Sequence, residues 1–321
     1  LAKKTNEATK QQIETDIFDQ MNALKQIDGA NHSNDLSELQ NLLQPVDKWI
    51  LSRFNSLVQE VTDNLDKFEL GIALQKHYDF VWDEFCDWYI EMVKPRLYAK
   101  GEDTDTKNSR LVALTTLRTV LAGSLAMLHP YMPFLTEEIY GALMDGKSLM
   151  LSAWPKFDSN QCYPKEERAI ETIKEAVRGI RNIRTSKNIP PSKKSDIYVI
   201  SPDENIREIF IEGKKFFAFL AYANEIFIQE QVDETFAKEA LTVVIHGAQI
   251  LLPLAQLLDP KEEQERLQKE EARLRGELAR ANAMLGNERF VAKAPADKIE
   301  AEREKVKKYT AMLEEVQKLL N

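Results

Sequence analysis

From Pro45 onward, Val46, Ile50, Phe54, Leu57, Val61 and Leu65 recur at steps of three and four. That spacing sets them along one face of an α-helix. The pattern returns three more times before residue 146. A second helix is expected from about Phe68 to Lys94, stopped by Pro95, with Tyr78, Val81, Trp82, Phe85, Trp88 and Tyr89 on its buried face. A third uses Leu111, Leu114, Leu117, Leu121, Leu125 and Leu128 and ends at His129-Pro130. A fourth begins near Pro133, a residue suited to a first helical turn, with Glu137 and Glu138 near the positive end of its dipole. Four apolar stripes on short links can be buried only against one another. Residues 45–164 are therefore expected to form an up-and-down helical bundle, closed by the turn at Asp145-Gly146.

The pattern then changes. A helix over about Glu166 to Lys187 ends at Pro190-Pro191, and "DIYVI", "EIFIQ", "LTVVIHG" and "AQILLPL" read as short strands. With a helix from Asn205 to about Tyr222, residues 165–259 make a basic helix and a small α+β module. Residues 260–321 carry two heptad-like stripes, Leu267, Leu274, Leu278, Ala281, Leu285 and then Ile299, Val306, Leu313, Leu320. Tyr309 and Val316 add contacts between the second set. Two such stripes joined by a turn predict an antiparallel coiled-coil hairpin, each arm about 40 Å long. Residues 1–44 are polar, with one amphipathic helix expected around Ile13, Ile17, Met21 and Leu24 before the link "GANHSND". The fold class is thus mainly α: a bundle, a small α/β module and a coiled-coil hairpin.

No apolar run approaches the roughly 20 residues of a membrane span, so no membrane partner is expected. Cys86 and Cys162 are too few and too far apart for a disulfide framework, which points to a reducing, cytoplasmic setting. The chain opens without Met and without an apolar leader, consistent with a piece of something longer. The net charge of −9 is unevenly spread. Residues 1–164 hold 16 basic and 24 acidic side chains, and residues 195–259 hold 4 and 11. Residues 165–194 hold 9 and 4, and within 178–194 there are six basic residues and no acidic one. A polyanion is the natural counterpart of such a concentration.

Catalytic chemistry is hard to find. His32, His77, His129 and His246 have no Cys or His neighbours at ligand spacing, so no metal is expected. Cys86 sits on the aromatic helix and reads as a buried structural thiol. Adjacent carboxylates at Asp83-Glu84 and Glu137-Glu138 point in different directions around a helix. No phosphate loop, dinucleotide fingerprint or nucleophile elbow occurs. Two features remain. In "VRGIRNIRTSKNIPPSKK", Arg178, Arg181, Arg184 and Lys187 fall every three residues and sweep about half the helix circumference, with Lys193 and Lys194 beyond the prolines. The other is the turn of the C-terminal hairpin, where Arg289, Phe290, Val291, Lys293 and Pro295 replace the few small residues that an αα-turn needs. Solvated surface charge, and packing of Phe290 under the turn, would account for both without any ligand.

The segments "DKWILSRFNSLV", "VWDEFCDWYIEMVKPRLY", "LHPYMPFLTEEIY", "IRNIRTSKNIPPSKK" and "NERFVAKAPADKIEAEREKVKKY" together resemble the C-terminal third of the bacterial valyl-tRNA synthetase family. The resemblance runs from about Asp35 to Asn321. The third segment is shared among related class I synthetases, whereas the last is particular to the valine enzymes. It implies an anticodon-binding bundle, a small α/β module and a coiled-coil arm that reaches the outer corner of tRNA. The expected tRNA contacts are Lys48, Arg53, Lys94 and Arg96 on the bundle. They continue through Arg178, Arg181, Arg184, Lys187, Lys193 and Lys194 in the basic stretch. Arg273, Arg280, Arg289, Lys293 and Lys298 complete them on the arm.

The departures matter too. The family's His-Ile-Gly-His and Lys-Met-Ser-Lys-Ser motifs are absent, and "RTSKN" at 184–188 lies on a helix, not after a nucleotide-fold strand. The editing domain is absent as well, and residues 1–34 do not match the tryptophan-bearing helix that usually opens the anticodon domain. No catalytic residue and no cofactor are therefore assigned to this chain. ATP and magnesium belong to the missing part of a parent enzyme that attaches valine to its tRNA and is expected to be monomeric. A stand-alone tRNA- or RNA-binding protein of the same architecture and a coiled-coil scaffold are the rival readings.

Overall fold

The computed structural model describes residues 39–101, 103–257, 260–286 and 296–320. The expected N-terminal helix, the link at 29–35 and the hairpin turn at 287–295 lie outside these. Helix α1 spans Pro45–Asp66 and starts where its own chemistry says it should. Pro45 occupies the first turn, and Gln44 and Asp47 cap each other reciprocally, the Gln44 N–H donating to Asp47 Oδ2 at 2.9 Å. Val46, Ile50, Phe54, Leu57 and Val61 are buried as their spacing requires.

The second helix differs from its expectation. Helix α2, Leu70–Asp79, runs directly into a π-helical stretch, Phe80–Ile90, and then into α3, Glu91–Leu97. Pro95 lies inside α3 instead of ending the helix before it. Phe85, Trp88 and Tyr89 are buried, but Tyr78 and Trp82 are more than half exposed, and His77 and Phe80 take the inner places. The shift of the inner face follows from the π-helical stretch. Bonds of the i→i+5 kind widen the backbone and turn it less per residue than an α-helix, so a 3.6-residue pattern misplaces the inner face. Pro95 lies within the first turns of α3, where fewer intrahelical bonds are lost to it. Cys86, on this stretch, is only half-buried.

Helix α4, Thr104–Leu128, is capped by Asp103, which accepts the Thr106 N–H at 2.8 Å. By length and composition it could cross a membrane, which the sequence reading did not anticipate. Half of the qualifying stretch is buried within the protein, as in a helix at the centre of a bundle. At Gly123 the helix meets α1 so closely that an added Cβ would lie 2.3 Å from the Phe54 ring. Helix α5, Pro133–Leu143, ends in a turn where Asp145 and Gly146 both take positive φ. Leu125, Tyr140 and Leu149 form a small core there.

Helix α6 spans Pro164–Ser186. Its first half carries Lys174, whose ammonium lies 5.1 Å from the Trp49 ring centre and 5.8 Å from that of Trp88, with Glu171 at 2.8 Å. Its second half buries Ala176, Val177 and Ile180. The sheet that follows has the order β2-β1-β4-β3. Strand β1, Ser195–Ile200, pairs parallel with β2, Ala223–Gln229, across the intervening helix α7, Glu204–Leu220. After the short helix α8, Glu234–Lys238, strands β3, Ala240–Ile245, and β4, Ala248–Pro253, form a hairpin, and β4 pairs antiparallel with β1. All four strands agree with the sequence reading. The short α9, Leu254–Leu257, leads on, and helices α10, Pro260–Leu285, and α11, Ala296–Leu320, pack together. Leu274 and Ala281 are buried between them, and Gln317 Nε2 donates to Glu271 Oε1 at 3.0 Å. The chain divides into two compact units that part within α6, between Glu175 and Ala176.

Candidate nucleic-acid interface

The concentrated positive charge lies at the C-terminal end of α6, where local sequence dictates the backbone. Asn188 takes φ +54°, its N–H donates to Thr185 O at 3.0 Å, and the Ile189 N–H donates to Arg184 O at 2.9 Å. This is a Schellman ending, with Asn in the left-handed position and a buried Ile189 as the accompanying apolar contact. Pro190 and Pro191 then forbid further helix, and the Lys193 N–H closes back on Pro190 O at 3.1 Å. The chain therefore doubles back, bringing Lys193 and Lys194 to the end of the helix that carries the arginines.

The expected half-turn of exposed cations is corrected at Arg184. That residue is only 2 % exposed. Its Nη2 donates to Pro190 O at 3.0 Å and also to Lys193 O, and its guanidinium lies 5.5 Å from the Tyr222 ring centre. Burial pushes its pKa down from the usual arginine value, with Tyr222 acting in the opposite direction. A step of three residues turns the helix 300°, so four such residues cannot stay on one solvent face. Arg184 rotates inward, where, among the described residues, two carbonyls and a ring receive it. Arg181 is half-buried and donates from Nε to Leu220 O at 2.9 Å, satisfying a carbonyl at the end of α7. Arg178, Lys187 and Lys194 remain exposed, and Lys193 is half-buried.

The candidates on the bundle are mostly engaged with carboxylates. Arg53 makes two 2.8 Å bonds to Glu84 and lies 3.9 Å from Glu167; the Glu84 bond raises its pKa. Lys48 lies 3.5 Å from Glu166. Lys94 pairs with Glu91 on the surface. Arg96 is not a surface residue. Its Nη1 holds Asp47, at 2.8 and 2.9 Å, in a pair where the side chains are 9 % and 0 % exposed. Tyr89 donates to the same carboxylate at 2.8 Å, and burial followed by the Asp47 charge drives its pKa well up. Arg96 is thus committed to the interior, because an uncompensated Asp47 would be prohibitive there.

On the arm, Arg273 is exposed, and Arg280 is exposed with Glu277 at 3.0 Å. Arg289 and Lys293, and the side chain of Lys298, lie outside the described residues. Sequence reasoning missed Tyr222, which takes φ +57° beneath Arg184, and the fold-holding part of Arg184 itself. The "KNIPP" ending was the available signal, since Asn before an apolar residue and prolines marks a left-handed cap. Among the described residues, no three His, Cys, Asp or Glu side chains gather as a metal site.

Comparison with known proteins adds two domain assignments in chain order. Residues 47–199 match the anticodon-binding domain of tRNA ligase, and residues 259–321 match the valyl tRNA synthetase tRNA binding arm. A valine–tRNA ligase of Clostridium acetobutylicum is 46 % identical over 272 residues, covering 84 % of this chain and 30 % of the relative. The valine–tRNA ligase of Listeria monocytogenes is 37 % identical over 89 % of this chain and 32 % of its own length. That of Bacillus subtilis is 37 % identical over 92 % and 33 %. The chain spans about a third of the curated relatives it matches. With both domains present in order and most of its length aligned, the chain belongs to the valyl-tRNA synthetase family and corresponds to its tRNA-binding C-terminal part.

Proposed function

We propose that this chain positions tRNA, most specifically tRNA for valine, on behalf of an enzyme that attaches valine to it using ATP. The observation that carries the reading is the pair of domain matches at 47–199 and 259–321, with the exposed cations Arg178, Lys187 and Lys194 inside the first. Phosphate contacts would give affinity and orientation, and base contacts in the anticodon loop would give identity. The domain plan is a bundle over 45–164, a basic helix and small α+β module over 165–259, and an arm over 260–321. In the arm, α10 and α11 would form an antiparallel coiled-coil hairpin. The residues present do not fit an ATP–magnesium site, since neither nucleotide-binding motif of the class occurs. No chemical step is assigned to them.

Binding of labelled valine tRNA and of a non-cognate tRNA, measured at several salt concentrations, tests the reading. It predicts a steep loss of affinity with salt and preference for the valine tRNA. A chain that self-associates and binds neither would instead be a scaffold.

A further inference from the structure

Arg184 occupies an unusual position for a residue in a basic stretch. It is almost fully buried, yet the groups that hold it carry no formal negative charge: two backbone carbonyls and a tyrosine ring. Among the described residues, Nε and Nη1 have no hydrogen-bond partner. Burying a guanidinium without a carboxylate costs free energy that a neutral side chain would not. Helix packing alone gives no reason to accept that cost, because an apolar residue would fill the same place. What Arg184 alone provides is a clamp: it reaches from the last turn of α6 to both ends of the segment Pro190–Lys193.

We infer that Arg184 is a positioning residue that holds the 190–194 loop in the shape in which Lys193 and Lys194 meet tRNA phosphates. The inference rests on the tRNA-binding reading above. Carbonyl partners are the significant choice. A carboxylate would hold the loop equally well, but it would cancel one positive charge directly beneath the phosphate. Held by carbonyls, Arg184 fixes the loop and leaves its own charge to add to those of Lys187, Lys193 and Lys194. The Schellman ending at Asn188 and the two prolines supply the rest of the rigidity, so that little ordering cost remains for the moment of binding.

A double-mutant cycle on the whole chain tests this. Arg184→Gln keeps the donors for one carbonyl and removes the charge and the fork; Arg184→Lys keeps the charge. The lysine pair is removed as Lys193→Ala with Lys194→Ala. Valine tRNA binding is measured across salt concentrations, and amide hydrogen exchange at residues 188–194 is followed without RNA. Removing both lysines should lower the slope of log affinity against log salt by about 1.4 to 1.8, at about 0.7 to 0.9 for each phosphate contact. Arg184→Gln should lower it by a similar amount and speed exchange in the loop, and the combined variant should be hardly worse than either. Arg184→Lys should recover part of the slope while exchange stays fast. Additive losses in the combined variant would overturn the inference, as would an unchanged slope in Arg184→Gln despite fast loop exchange. If Arg184→Gln fails to fold, the lysine variant decides: a wild-type slope with a freely exchanging loop refutes the clamp, and a lowered slope supports it. Absence of tRNA binding by the unaltered chain would instead refute the functional reading itself, a separate outcome.

Discussion

At the scale of single residues, some charged groups are buried and hold the fold while others stay exposed. Asp47 is the clearest of the first kind. It is fully buried and accepts from the Gln44 N–H, the Tyr89 hydroxyl and Arg96. Asp47→Ala removes the cap of α1 and strands the Arg96 charge, so the first unit should lose about 3 to 5 kcal/mol in denaturant unfolding. Arg178→Glu, on an exposed position, should change stability by no more than about 0.5 kcal/mol. His77 gives a pH dependence. Its Nε2–H donates to Ser124 O at 3.0 Å, while burial lowers its pKa below the ordinary value of about 6.5. The unfolded chain then takes up the proton more readily than the folded one. The stabilisation is complete above the unfolded pKa and is lost as pH falls from there through the lowered folded value. Thermal melts should show a melting temperature that drops between about pH 7 and pH 5, and His77→Gln should flatten that drop. A drop unchanged in the variant would assign it to other groups.

Among whole elements, helices α10 and α11 are tied to each other by Gln317, which donates to Glu271, itself paired with Arg275 at 2.6 Å. The bundle's apolar stripes close on themselves, with Trp49, Ile50, Tyr89 and Met92 fully buried. Deleting residues 260–321 should therefore leave the far-ultraviolet signature of a folded bundle and cooperative melting, while tRNA affinity falls at least tenfold. Unfolding of the shortened chain would refute the modular division, and unchanged affinity would make the arm irrelevant to RNA. Helix periodicity was readable in α1, where a straight α-helix packs one face inward. It failed over Phe80–Ile90, since the π-helical register changes the angle per residue and no local residue choice announces it. The strands were legible because β-branched runs bounded by turn residues admit few other conformations.

For the molecule as a whole, two domains of a tRNA ligase occur in a chain that spans about a third of its relatives. The nucleotide-binding motifs of the class are absent from its sequence. The purified chain should therefore show no valine-dependent exchange of pyrophosphate into ATP, even with tRNA present. Exchange above background would mean that an unrecognised active site exists here.

The sequence by itself determined what depends on neighbours along the chain. It was enough for the first helix of the bundle, the four strands and the concentration of charge at 178–194, because periodicity, turn chemistry and composition are local properties, while the family followed from the resemblance of longer segments. Tertiary structure decided which of the cations face solvent. Arg96 and Arg184 look like their exposed neighbours in sequence, but one is drawn inside by a buried carboxylate 49 residues away and the other by carbonyls of a chain that folds back. Which acceptors an arginine can reach is set by where the fold places them, and nothing in the neighbouring sequence records that.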